Sequence, residues 1–135
     1  MTPETTTWLL TGLAALVVLL TRLRLRRQDA AGQVTVPKVI AWTHTVAGLA
    51  ALALWVTMLV TEDDVYGWPA LVCWWVTVVA GLLILLRWLP AKGRHASDPT
   101  ADAWGEGPGL SILAHVGMLV GVAVLTAFLV LDKVP

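Results

Sequence analysis

Two histidines are the most chemically capable side chains in the apolar stretches of this chain. His44 closes the octapeptide PKVIAWTH (37–44) and His115 closes PGLSILAH (108–115), so in each a proline stands seven residues before the histidine. An imidazole can lend a lone pair to a metal, accept a proton or donate an N–H. In a bilayer an ionisable side chain is costly enough to count as a functional candidate by default. The third histidine, His95, lies beside Arg94 in a polar run and reads as a solvated loop residue. Other reactive groups are scarce. Cys73 is the single cysteine, which excludes an internal disulfide and a cysteine-based metal site, and it reads as a small apolar residue. The TEDD run (61–64) sets three acids in succession without further oxygen ligands at useful spacing, so it reads as a solvated turn. There is no glycine-rich phosphate loop, nucleophile elbow or pair of carboxylates placed for acid–base work.

The elements that must position the histidines follow from composition. Of 135 residues, 58% are hydrophobic and only 13% charged, and the mean hydropathy is +0.78. Soluble domains are nearer 45–50% apolar and about 25% charged, so the chain is expected to be an integral membrane protein. Four apolar runs stand out, at about 5–23, 38–61, 68–89 and 109–131. Each comes close to the ~20 residues a helix needs to cross a bilayer core. Isolated strands are excluded because lipid cannot satisfy their backbone groups. The expected fold is all-α, an up-down-up-down four-helix membrane bundle forming one domain over 1–135. The opening MTPETTTWLL lacks a basic n-region and a small-residue cleavage site, so the first span is expected to be retained.

Loop charge sets the expected orientation. Arg22, Arg24, Arg26, Arg27 and Lys38 flank the first connection, and Arg87, Lys92 and Arg94 the third. The opposite side has only Lys133, with Glu4, Glu62, Asp63, Asp64 and Asp132. The positive-inside rule then puts loops 24–37 and 90–108 in the cytoplasm and both termini outside a cell membrane. Trp8 and Trp68 fall at the outer boundary, and Trp42, Trp88 and Trp104 near the inner one, as interfacial aromatics do. No basic stripe interleaved with aromatics offers itself to nucleic acid.

On this topology spans two and four are parallel, and both start at the cytoplasmic face. Proline suits the first turn of a helix, so the two starts can be aligned, and each histidine lies roughly 7–8 Å into the apolar layer. In a simple bundle these spans are diagonal neighbours, and imidazoles at equal depth can ligate one metal from opposite sides. Haem iron accepts such a pair, and small residues would leave room for it: Ala41, Ala47, Gly48 and Ala51 near His44, and Ser111, Gly117 and Gly121 near His115. Met118 and Leu119 are bulkier neighbours. Arg22, Arg24, Lys38, Arg87 and Lys92 could meet haem propionates at the cytoplasmic surface. Zinc or copper alone would want a third or fourth ligand, and no Cys, Asp or Glu lies at that depth.

The segments THTVAG around His44 and AHVGMLVG around His115 resemble small membrane b-type cytochromes, in which transmembrane histidines on neighbouring helices hold haem axially. Larger members of such families carry four histidines for two haems, whereas this chain has one transmembrane pair. The resemblance implies one haem b and electron transfer near a quinone pool. The candidate site is therefore His44 and His115 as metal ligands, with Ala47, Gly48, Ala51 and Gly117 against the cofactor.

A second reading needs no cofactor. A membrane histidine often serves an interhelical hydrogen bond worth about 0.6–2 kcal/mol, and Gly117 and Gly121 form a small-xxx-small face suited to helix packing. On that reading the chain is an accessory, structural or assembly subunit of a larger membrane complex. No charged residue lies well inside a span, which argues against ion or proton pumping. The short loops argue against a catalytic domain, so a redox carrier or accessory subunit is expected rather than a stand-alone enzyme. WLLTGLAALVVLLTR (8–22) and WVTVVAGLLILLR (75–87) also resemble each other loosely. They are consistent with two parallel hairpins about an axis along the membrane normal.

Overall fold

The computed structural model describes residues 2–30, 36–88 and 108–134. Four helices form: α1 (Pro3–Ala30), α2 (Lys38–Thr61), α3 (Gly67–Trp88) and α4 (Pro108–Val130). All four are long and apolar enough to cross a membrane. Pro3 and Pro108 open their helices and Pro37 caps α2, where a missing N–H costs nothing.

α1 runs further than its apolar part. The apolar span is Pro3–Leu23, but the helix continues to Ala30. The expected loop 24–37 is thus helical over its first seven residues, because Arg, Leu, Gln and Ala are good helix formers and no Gly or Pro intervenes. Most of the second expected loop, including Lys92, Arg94, His95 and Trp104, lies outside the described residues.

α2 and α3 are joined by a tight turn. Glu62 takes the left-handed conformation (φ 54°) and its N–H donates to Met58 O at 2.8 Å. Asp63 then accepts from the Val65 N–H at 3.0 Å, starting a short 3₁₀ turn over Asp64–Tyr66. The acids of the TEDD run therefore build a turn.

Each helix buries a seam at heptad spacing, and α3, the most buried, also turns Ala70, Leu71, Val78, Ala80 and Ile84 inward. The buried residues run Thr7, Thr11, Ala14 and Val18 on α1; His44, Gly48, Ala51, Trp55 and Met58 on α2; Trp74, Thr77, Gly81 and Leu85 on α3; and His115, Val122, Leu125 and Leu129 on α4. Alternating steps of three and four are those of near-parallel helices packed side by side. α2 packs most extensively on α3, α3 on α4, and α1 more sparsely on α2 and α4. This closes a ring in which α2 and α4 are diagonal. Sequential helices are antiparallel: Gly48 faces Thr77 while Gly67 faces Met58, and Gly81 faces His115 while Trp75 bonds Thr126. α2 and α4 therefore run the same way.

The outward faces are Leu, Val and Trp, including Trp8, Trp42 and Trp68, as lipid requires. The threonine hydroxyls are satisfied locally: Thr7, Thr11, Thr45, Thr57, Thr77 and Thr126 each donate to the carbonyl four residues back at 2.7–2.9 Å. Such back-bonding lets hydroxyls sit in an apolar layer without a partner helix. A side-chain bond also crosses between helices, from Trp75 Nε1 to Thr126 Oγ1 at 3.2 Å.

Candidate functional site

His44 is the first member of the buried α2 seam, and His115 lies one turn before Met118 on the α4 seam. Both imidazoles therefore point inward by the same periodicity that buries Trp55 and Leu125. Only 4% of His44 and 8% of His115 is exposed. Their ring centres are 6.4 Å apart with the planes tilted by 44°. The two diagonal helices thus bring their histidines together at one level.

Gly81 of α3 lies directly beside the pair. A Cβ there would stand 2.8 Å from His115 Cδ2, 3.2 Å from His115 Nε2 and 3.3 Å from His44 Cδ2. His115 therefore turns its Cδ2–Nε2 edge, and His44 its Cδ2, toward the same bare stretch of α3 backbone. Thr77, one turn away on α3, is also buried. Its hydroxyl donates to Cys73 O at 2.8 Å, which leaves the oxygen free to accept. Val17, Val18, His44, Thr77, Val78, His115 and Met118 line a cavity of about 10 Å³. That is near the lower limit for one water molecule.

The small residues expected around a cofactor distribute unequally. A Cβ on Gly48 would meet Val18 at 3.1 Å and Thr77 at 3.4 Å, so it lies one layer from the rings. Ala51 is fully buried a further turn along, and Ala47 is half-buried. Gly117 faces outward with open space beside it. Two residues along a helix turn it by roughly 200°, so Gly117 cannot share the face of His115. Gly121 packs against Leu10 of α1.

At the same end of the bundle the Arg22 guanidinium lies 5.1 Å over the Trp42 ring. A cation stacked on an aromatic face joins α1 to α2 there.

Sequence reasoning found both histidines and missed Gly81, Thr77, Val17, Val18 and Val78. A signal for Gly81 existed. It is the one glycine of α3 after the opening Gly67, seven residues after Trp74 on the same seam, where a glycine usually marks a close approach.

The separation of the rings agrees with ligation of one metal. Two metal–nitrogen bonds of about 2.0–2.1 Å, each with about 1.1 Å more to the ring centre, span roughly 6.3 Å. The same distance also falls within ordinary packing of two aromatic rings, so the donor count carries the chemistry. Among the described residues no group of three or more His, Cys, Asp or Glu could hold a metal. Two imidazoles alone suit a metal whose other ligands come with it. Haem iron accepts such a donor pair, but Gly81 stands at contact distance of both rings and the cavity has room for about one water, so no space for a macrocycle is present between them. The cavity itself would have to widen, and the side chains in the way are Val17 and Val18 of the sparsely packed α1 and Met118 of α4. Comparison with protein-family models, curated proteins and solved structures finds no match.

Proposed function

We propose that this chain is a membrane electron carrier in which His44 and His115 would hold one b-type haem. The observation that carries the reading is the meeting of two buried imidazoles, from helices distant in sequence, at 6.4 Å beside Gly81. A haem held in this way supplies reversible one-electron transfer. The protein's part would be to present both rings from rigid helices, while Val17, Val18 and Met118 would have to move aside to admit the group. Arg22 and Lys38 lie at the histidine end of the bundle, where they suit the carboxylates of a haem. The positive-inside rule makes this the cytoplasmic end, with both termini across a cell membrane. Electrons would be exchanged with quinol in the bilayer or with a partner subunit of a redox enzyme.

One observation favours the alternative, an accessory subunit without cofactor. The imidazoles and their neighbours already close the gap to about the room of one water.

The test is a reduced-minus-oxidised visible spectrum of protein purified from haem-sufficient cells. The expected result is one haem per chain, with the low-spin signal lost in His44→Ala and in His115→Ala. Folded protein that is colourless and co-purifies with other membrane subunits would establish the alternative instead.

A further inference from the structure

We infer that the bundle, packed as it is, holds one soft monovalent metal ion, Cu(I), between His44 and His115, with the Met118 thioether as a third donor. The inference goes beyond the haem reading and does not rest on it, because it needs no widening of the cavity.

Three observations carry it. First, the room suits a bare ion. The cavity of about 10 Å³ is bounded by both imidazoles, Met118, Thr77 and three valines. It admits an ion stripped of its water and little else. Second, the rings stand at the separation that a two-coordinate ion requires. Their centres are 6.4 Å apart, and two metal–nitrogen bonds in line span roughly 6.3 Å. A bent arrangement would bring the rings closer than they are. An ion bound by both therefore lies near the line between the ring centres, where a third donor can reach it from the side. Third, Met118 supplies that donor. It follows His115 by three residues, one turn along the same face of α4, and it lines the same cavity. Among the described residues the pair gains no third partner from His, Cys, Asp or Glu. A thioether stands outside that set and is a ligand for soft metals.

Charge and softness choose the metal. Two neutral imidazoles and a thioether bring no negative charge, and α2, α3 and α4 contain no Asp or Glu. The cost of placing an ion in an apolar layer grows with the square of its charge, so a divalent ion costs about four times as much as a monovalent one of that size. Zinc also wants four ligands in a tetrahedron. Hard cations want shells of oxygen, and of the side chains lining the cavity only Thr77 offers one. Cu(I) is monovalent and soft, and two nitrogens in line with sulfur alongside satisfy it.

The test is an anaerobic titration of the full-length purified protein with Cu(I) against a coloured Cu(I) chelator, followed by X-ray absorption at the copper edge. Cys73→Ser serves as the background, so that the single thiol does not compete. The expected result is one Cu(I) per chain held against the chelator, with two nitrogen neighbours and one longer sulfur contact. Met118→Leu should lose the sulfur contact and bind more weakly. Met58→Leu, near the opposite end of α2 from His44, should keep both. His44→Gln and His115→Gln should lose the ion, with circular dichroism showing that their helices remain; if either fails to fold, the Met118→Leu and Met58→Leu pair decides. Failure to retain Cu(I), a copper site without sulfur or with sulfur alone, survival of the site in a folded histidine variant, or displacement by equimolar Zn(II) would each overturn the inference. The visible spectrum of the same preparation keeps the two readings apart. Haem colour without Cu(I) binding overturns this inference alone, and Cu(I) binding in a colourless protein overturns the haem reading alone.

Discussion

The two ends of the bundle use the same four heptad seams and fill them in opposite ways. Toward the tight α2–α3 turn the seams are loaded with large side chains. Trp55, Trp74, Met58 and Leu125 are all but fully buried, and Ala51 and Ala70 make space for them. Toward the other end the seams carry His44, His115, Gly81, Gly48 and Thr77, and a small cavity remains among them. One end is built as a core and the other holds the candidate site. The contrast teaches that a single periodicity can serve both purposes, because it dictates which residues face inward and not what they are.

The comparison can be broken most forcefully at the large end. Trp74→Ala removes a fully buried ring and should cost about 3–5 kcal/mol, as large-to-small core changes do. Thermal or denaturant titration in detergent checks this. If His44 and His115 hold a haem, His115→Ala should lose its spectrum, but it should cost no more than about 2 kcal/mol of apoprotein stability, the upper value for a membrane polar contact. If the histidine variant proved the more destabilising, the division between core and site would fail.

A finer test uses the indole N–H groups of Trp55 and Trp74, which have no acceptor among the described residues. An unmet buried donor costs about 1–3 kcal/mol. Trp55→Phe removes that burden while giving up part of the ring, so the net change should stay within about 1 kcal/mol. A loss close to that of an alanine variant would show that the N–H is satisfied. Thr126→Val deletes the acceptor of the Trp75 bond and should cost about 0.6 kcal/mol, the average for interhelical bonds in a membrane. The smallest effect is expected at Gly117, whose neighbourhood is open. Gly117→Ala should lose no stability and gain less than about 1 kcal/mol through helix propensity.

These contrasts mark what the sequence discloses. The span of α2 was readable to the residue, because Pro37 sets its start and the acids of the TEDD run its end. The level of the histidines was readable too, since loop charge fixes direction and the prolines fix register. The facing direction of individual small residues was not. Runs such as ALALWV and GVAVL are apolar on every side, and without a polar face no stripe tells core from lipid. That is why Gly117, which faces outward, stood among the residues expected near His115, and Gly81, which touches the ring, did not. The helical extension of α1 was hidden for a different reason: the charges that end a hydrophobic run do not end a helix.

The unequal connections of the bundle bear on how the protein is made. α2 and α3 are joined by a turn of a few residues and share the largest interface, so their hairpin can close while the rest of the chain is still being synthesised. His115 lies beyond a longer connection, whose closure costs more. A group held between the imidazoles would act as a staple across that connection, favouring the docked position of α4 over the undocked one.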